Sequence, residues 1–215
     1  MVDQKRLLGF LGEYAKNKTM VPPAMALFEP FFSIAEAQNY PLAAASDALC
    51  QEAAAAITAA TGLTVTEVVA ISSADAPDTR TAWLTEKAYR GSIQYKYSLG
   101  NSLRDGYGRW AGLELSLSDR FGNGFWNGLG EGFWMSVPGD LWHSLQINLT
   151  GRYHVTLGDS LWYSLQISLC LTLASVVSGD EDRLERLAPL LRLLPRALPI
   201  GHAADEPGTW FVLFA

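Results

Sequence analysis

An apolar residue recurs at every fourth position between Leu113 and Leu173, and this period constrains the fold more than any other feature of the chain. The positions are Leu113, Leu117, Phe121, Phe125, Leu129, Phe133, Val137, Leu141, Leu145, Leu149, Tyr153, Leu157, Leu161, Leu165, Leu169 and Leu173. The residue before each is Gly, Ser or Thr at twelve of the sixteen positions. A fixed period is the signature of a repeat architecture, so the repeat is the strongest guide to the fold class.

The period of four favours strands over one long helix. An α-helix advances about 100° per residue, so a residue at every fourth position drifts about 40° per step around the axis. Sixteen steps therefore cannot stay on one face of a straight helix. Twelve glycines between Gly100 and Gly158 also disfavour a helix, because each interior glycine costs about 1 kcal/mol relative to alanine. In a strand, every fourth residue points to the same side.

A long flat strand would bury the polar residues that lie halfway between the apolar ones. These include Asp119, Asn123, Asn127, Glu131, His143 and Asp159. A chain that turns every few residues places them at corners, so we expect a solenoid-like arrangement or a bent antiparallel sheet. Ordinary antiparallel strands compete from about Leu141 onward, where alternation is purer, as in Leu165, Ile167, Leu169, Leu171 and Leu173. An all-α chain with broken helices in the repeat is the alternative.

Residues 1–71 form a helical N-terminal region. Apolar spacing predicts a helix over residues 4–16 with Asp3 as its N-cap, a second opened by Pro22 and Pro23, and a third from Leu42 to Ala60 that ends at Gly62. Val65 to Ile71 permits either a strand or the start of a helix. The N-terminal region is therefore expected to be mainly helical.

Three further regions complete an α+β organisation. Residues 72–90 predict a linker and a short helix, and residues 91–178 form the repeat region. The repeat region opens with a β pattern at Ile93, Tyr95, Tyr97 and Leu99. Residues 179–215 predict an acidic break, a helix from Leu184 that stops before Pro195, and a strand or docking tail from Thr209 to Ala215.

Composition and charge exclude several classes of partner. The net charge of -6 and the pI near 5.0 argue against a nucleic-acid surface, which needs clustered Lys and Arg. The sequence contains no run of eighteen apolar residues, so it predicts no transmembrane helix. Met1 to Phe10 lacks the pattern of a signal peptide. Cys50 and Cys170 are too few for a disulfide framework. We expect a cytoplasmic protein with both thiols buried as hydrophobes.

No catalytic or metal-binding constellation stands out from the repeat. Gly158 to Leu161 spells the Gly-Asp-Ser-Leu signature of an esterase family, in which Ser160 would be the nucleophile. Near the C-terminus no Asp-x-x-His motif supplies the partner histidine, because His202 is followed rather than preceded by an aspartate. His143, His154 and His202 show no metal-ligand spacing. We therefore expect a protein that is not an enzyme and has no cofactor.

Tryptophan is the most suggestive residue type within the repeat. Trp126, Trp134 and Trp142 are spaced by eight residues, and Trp162 keeps the same phase. In an extended chain they would form a row on the face opposite the Leu and Phe residues. Such a row can be an apolar interface, a stacking surface for a small ligand, or a face buried by the flanking helices. The row is the candidate interface.

Two clear copies of the tetrapeptide carry a resemblance to known proteins. Residues 98–105 read Ser-Leu-Gly-Asn-Ser-Leu-Arg-Asp, and residues 158–165 read Gly-Asp-Ser-Leu-Trp-Tyr-Ser-Leu. This pattern resembles bacterial low-complexity proteins built from iterated Ser-Leu-x-Asp tetrapeptides, and it covers about half of the chain. The middle departs from it, with Gly-Phe-Trp units. The resemblance implies an architecture followed by a Leu-rich helix, and it implies no activity.

Two functional hypotheses follow from these observations. The first is a structural or protein-binding scaffold that associates with itself or a protein partner through the tryptophan row. The second is a membrane-active or lipid-contacting β protein, suggested by aromatic residues that alternate with Gly and Ser. The absence of an acid and base pair, a phosphate loop or a metal cluster in the sequence favours the scaffold.

Overall fold

A computed structural model describes residues 4–37, 45–71, 97–107, 167–168, 171–203 and 206–214. In these residues, helices pack around a small mixed sheet, which is an α+β architecture. The helices are Gln4–Tyr14 (α1), Val21–Ala37 (α2), Asp47–Thr61 (α3), Leu99–Gly106 (α4), residues 171–178 (α5) and Glu181–Leu193 (α6), and Lys18–Met20 forms a 3-10 turn. The strands are Glu67–Ile71 (β1), Ala197–His202 (β2) and Thr209–Phe214 (β3).

The three predicted N-terminal helices are confirmed as α1, α2 and α3. Helix α3 begins at Ser46, whose hydroxyl accepts a hydrogen bond from the N–H of Leu49 at 3.2 Å. It ends at Gly62, which adopts the left-handed conformation with φ of 75°, a conformation that glycine reaches without steric cost. Between these caps, Ala53, Ala56, Ile57 and Ala60 form its buried face.

The sheet has the strand order β1-β3-β2. Strand β1 pairs in parallel with β3, with Val69 opposite Phe211. Strand β2 pairs with β3 in the antiparallel direction, with His202 opposite Trp210 and an irregularity between Pro199 and Gly201. The ambiguous segment Val65 to Ile71 is therefore a strand over its last five residues.

Strand β3 is the centre of the sheet rather than a tail on its surface. All six residues from Thr209 to Phe214 are buried, as are all six of β2. A strand buried on both faces reads as a continuous apolar run, and Trp-Phe-Val-Leu-Phe in β3 fits this rule. Of the two predicted alternatives for this segment, a strand or a docking tail, the structure shows the strand.

Helix α6 confirms the Leu-rich C-terminal helix. Gly179 is left-handed with φ of 72°, and the carboxylate of Asp180 then accepts a hydrogen bond from the N–H of Arg183 at 3.0 Å. The helix packs against α3 and α2 through an apolar face. The buried residues of that face are Leu184, Leu187, Ala188, Leu190, Leu191 and Leu193. As predicted, the helix stops before Pro195.

The first copy of the tetrapeptide is a helix, so the prediction of β structure up to Leu103 is wrong for residues 99–103. The hydroxyl of Ser98 caps α4 by accepting a hydrogen bond from the N–H of Asn101 at 3.3 Å. Leu99 and Leu103 lie one turn apart and are both completely buried. Helix α4 packs against α3 and β2.

The last part of the repeat is also helical where it is described, so the predicted strand at Ile167, Leu171 and Leu173 is wrong. Residues 167–168 and 171–178 have helical backbone, and nearly all of these side chains are buried. The hydroxyl of Thr172 donates to the carbonyl of Ser168 at 2.9 Å, and that of Ser175 donates to Leu171 at 2.7 Å. Each buried hydroxyl is thus satisfied inside its own segment.

A drift of about 40° per tetrapeptide explains both corrections. The drift excludes one helix of sixteen steps, but across one or two steps the apolar residues remain within a stripe about 100° wide. Leu99 and Leu103 use one such step in α4, and Leu173 and Val177 use another in α5. A short helix of two tetrapeptides is therefore compatible with the period.

Several predictions lie outside the described residues. They are the Asp3 cap, the linker and short helix of residues 72–90, the β pattern at Ile93 and Tyr95, and the apolar positions from Leu113 to Leu165. The predicted solenoid or bent sheet in the middle of the repeat is among them.

The chain leading into α4 is pressed against β2 at Gly201. Ser98 and Gly201 form an isolated antiparallel bridge. A Cβ atom at Gly201 would overlap the carbonyl oxygen of Tyr97 and lie 3.0 Å from the Cα of Ser98. Because both contacts are with backbone, neither can move aside as a side chain would. Glycine is therefore required here by the close approach of two segments.

We expect Gly201→Ala to lower the free energy of unfolding by about 1 to 3 kcal/mol, because the added methyl group forces the backbone of Tyr97 away from β2. The matched control is Gly9→Ala in α1, where an added Cβ would meet nothing within 4 Å. That control should raise stability by about 0.5 to 1 kcal/mol. Urea denaturation followed by circular dichroism measures both, and equal effects of the two changes would contradict the close approach.

Candidate functional site

The predicted interface and the predicted esterase signature both lie outside the described residues. Trp126, Trp134, Trp142 and Trp162 belong to this group, as do Ser160, His143 and His154. The arrangement of the tryptophan row therefore stays a prediction. Among the described residues, three groups are candidates for chemistry: an aromatic cluster around His202, a basic cluster around Tyr107, and the thiol of Cys50.

His202 lies near the end of β2 and is enclosed by two aromatic rings. Its ring centroid is 5.3 Å from that of Tyr97 and 5.4 Å from that of Trp210, its partner across the sheet. Nδ1 of His202 lies 2.9 Å from the carbonyl oxygen of Ala203. A carbonyl can only accept, so Nδ1 carries the proton of this hydrogen bond in the neutral ring.

This geometry gives His202 a packing role. In a catalytic triad, Nδ1 of the histidine donates to a carboxylate that stabilises the protonated ring, whereas here Nδ1 faces a backbone carbonyl. The side chain is 9% exposed, and the neighbouring Trp210 is completely buried. Nε1 of Trp210 has no hydrogen-bond partner in the part of the chain that is described. The aromatic cluster therefore stabilises the β2–β3 pair and presents no open nucleophile or base.

The second cluster places two arginines against one tyrosine. Tyr107 follows α4, and its ring centroid is 4.8 Å from Cζ of Arg186 and 5.8 Å from Cζ of Arg183, both on α6. Burial raises the pKa of Tyr107, while the positive charges of Arg186 and Arg183 oppose that rise. Sequence reasoning missed this cluster. The helix was predicted to begin at Leu184, so the sequence did not place Arg183 on one face with Arg186, and it gave no sign of their aromatic partner.

Metal-ligand clusters and membrane-crossing helices are both missing from the described ranges. In these ranges, no group of three or more His, Cys, Asp or Glu side chains could hold a metal ion. Helices with the length and apolar character needed to cross a bilayer are likewise not found among those residues.

The amide of Asn17, in a glycosylation sequon, donates to the carboxylate of Glu181 at 2.6 Å. This hydrogen bond ties the turn after α1 to the start of α6.

Cys50 is the thiol that the structure describes. It lies in the first turn of α3 and is partly exposed, which differs from the fully buried position predicted for it. Burial raises the pKa of the Cys50 thiol, and the nearby carboxylate of Asp47 raises it further. A raised pKa leaves less thiolate, the reactive form, at neutral pH. The expectation of an unreactive cysteine is therefore supported by its electrostatics rather than by full burial.

We expect alkylation of Cys50 by iodoacetamide at pH 8 to be slower in the folded protein than in urea, because both causes of the raised pKa require the fold. Asp47→Asn should accelerate the reaction, but less than unfolding does, because desolvation is the larger cause. The measurement is mass spectrometry over time in a Cys170→Ser background, so that Cys50 alone is counted. A folded thiol that reacts as fast as the unfolded one would contradict a pKa of Cys50 that the fold raises.

Comparison with known proteins adds no relative. No protein-family model matches the chain, and no significant match was found among curated proteins or solved structures. The resemblance to Ser-Leu-x-Asp repeat proteins thus stays a prediction from the sequence pattern. Assignments of role to individual residues rest on their geometry.

Proposed function

We propose that this protein is a non-catalytic scaffold whose body carries the tetrapeptide segment for self-association or for binding a protein partner. The observation that carries the proposal is the burial of both described ends of the repeat. Leu99 and Leu103 at its start, and Leu171 and Leu173 at its end, belong to the same core as the N-terminal helices and the sheet. The described residues on either side of residues 108–166 are therefore held in one core.

The use of polar groups in the body supports a structural role. Asp180 caps α6, Ser46 caps α3, and the hydroxyls of Thr172 and Ser175 are satisfied within their own helical segment. Glu52 and Arg196 form a two-pronged ion pair that joins α3 to the start of β2, with 3.0 Å between Nη1 and Oε2. These groups serve the architecture, and a catalytic site would need some of them free to act on a substrate.

We infer that the middle of the repeat consists of short, broken helices, which the sequence analysis gave as the alternative to β structure. The support is that both described ends use helices of about two tetrapeptides. Glycines and Pro138 are suited to the breaks between such helices. A β-solenoid or bent antiparallel sheet is the competing arrangement, favoured by the fourfold period alone. Circular dichroism of the full chain separates them by its ratio of helix to strand.

The proposed interface is the tryptophan row of Trp126, Trp134, Trp142 and Trp162. Each indole presents about 200 Å² of mostly apolar surface, and a contiguous patch of several exceeds what a monomer usually leaves in water. A second copy of this chain or another protein is the proposed occupant. The acidic net charge of -6 argues against nucleic acid as that partner. We propose a bacterial cytoplasmic setting for this binding, on the basis of the sequence pattern.

We expect Trp134→Ser to reduce the mass measured by light scattering to about half or less, because an interface tryptophan contributes more to association than to folding of the monomer. The control is Leu8→Ser, which removes a large apolar side chain that is 49% exposed on α1 but lies outside the row. That variant should keep the wild-type mass. A wild type that is strictly monomeric, with tryptophan fluorescence protected from quencher, would indicate burial of the row and overturn the proposed interface.

We expect no hydrolysis of p-nitrophenyl acetate beyond that given by Ser160→Ala, because a serine nucleophile needs an activating base and no Asp-x-x-His motif near the C-terminus supplies one. His202, the described histidine, is enclosed by Tyr97 and Trp210. Both proteins should also melt at the same temperature within error. Hydrolysis by the wild type that is lost in Ser160→Ala would establish a nucleophile and refute the non-catalytic proposal.

A further inference from the structure

The turn between α1 and α2 lies against the corner at which α5 ends and α6 begins. Gly179 forms this corner with a left-handed φ of 72°, and the N–H of Asp180 donates to the carbonyl of Ser175 at 2.9 Å. A Cβ atom added to Gly179 would lie 3.5 Å from Cβ of Lys16 and 3.7 Å from Cβ of Asn17. These are ordinary contact distances, so the turn packs closely over the glycine.

Backbone and side-chain hydrogen bonds cross from the turn to the corner. The N–H of Lys16 donates to the carbonyl of Val177 at 3.1 Å, and Nδ2 of Asn17 donates to Oε1 of Glu181 at 2.6 Å. The second bond joins an amide to a carboxylate, and hydrogen bonds to a charged group are the stronger class. The N-terminal helices are thereby fastened to the C-terminal helices at a defined point.

The amide of Asn17 makes hydrogen bonds on both sides. Its Oδ1 accepts from the N–H of Thr19 at 3.1 Å and from the hydroxyl of Thr19 at 2.8 Å, which shapes the 3-10 turn. Its Nδ2 reaches Glu181. An aspartate would keep the acceptor but lose the donor. It would also add a negative charge beside the acidic start of α6, which consists of Asp180, Glu181 and Asp182. Position 17 therefore suits a neutral side chain that both accepts and donates.

We propose that the turn and the corner form a latch, held by the Asn17 amide, that limits local opening of α1. Leu7, Leu11 and Ala15 form the buried face of this helix, so an open latch would expose them to water. The opening is local, and the sheet should stay folded when it occurs. This inference goes beyond the proposed scaffold function and does not depend on it, because all of its groups lie in or beside α1, α5 and α6.

Hydrogen exchange of the full chain, read by mass spectrometry at low ionic strength, tests the latch. Asn17→Asp should accelerate exchange in a peptide covering residues 11–20 by about fivefold, because a donor is lost and two carboxylates meet. Asn17→Asp combined with Glu181→Gln exchanges the roles of donor and acceptor, so the hydrogen bond can re-form in the reverse direction. Exchange in the double variant should return to near the wild-type rate. Peptides from β3 should keep the wild-type rate in both variants.

The matched control for charge is Asn17→Asp combined with Asp182→Asn, which removes one negative charge at the neighbouring exposed position. Exchange in residues 11–20 should stay fast in this control, because Glu181 still faces a carboxylate. Wild-type exchange in Asn17→Asp would overturn the latch. Failure of Glu181→Gln to restore slow exchange, or equal rescue by Asp182→Asn, would overturn it as well. Acceleration that extends to β3 would also do so, because Asn17 would then support the whole fold rather than the local closure of α1.

Discussion

The rest of the structure depends on the complete burial of β3 between β1 and β2. A strand covered on both faces cannot turn its backbone N–H and carbonyl groups to water, so both edges must be paired. Strand β1 supplies one edge in parallel and β2 the other in the antiparallel direction. The helices then cover the faces, with α3 contacting β1, β2 and α6. The N-terminal and C-terminal regions consequently form one core and not two.

Hydroxyl groups explain how a Ser-rich and Thr-rich repeat can enter that core. Ser168, Thr172 and Ser175 are completely buried. In α5 the donors of Thr172 and Ser175 return to carbonyls four residues earlier, so no partner from another element is needed. In α4 the buried hydroxyl of Ser98 caps the helix. At Ser98 and Thr172, the small residue that precedes a leucine is therefore both a spacer and a polar group that bonds within its own segment.

The sequence predicted the elements with local signals and missed those set by distant contacts. Gly62 ends its helix as predicted, whereas Ser46 and Asp180 start theirs at Asp47 and Glu181 rather than at the predicted Leu42 and Leu184. The period of the repeat favoured β structure because the drift of about 40° per step and the many glycines exclude one long helix, but short helices of two tetrapeptides tolerate the drift. The Tyr107 contact with Arg186 joins residues far apart in the chain, so no local pattern could reveal it. The tryptophan row lies outside the described residues and is untested by the fold.

The parallel pairing of β1 with β3 has a consequence for synthesis of the chain. Val69 and Phe211 are neighbours in the sheet but roughly 140 residues apart in sequence. During translation β1 emerges long before β3, the strand with which it pairs, has been made. An unpaired strand with residues such as Val68 and Val69 is a template for adding a strand from another chain. Nascent copies on one messenger RNA would therefore be exposed to pairing between their β1 strands until β3 has left the ribosome.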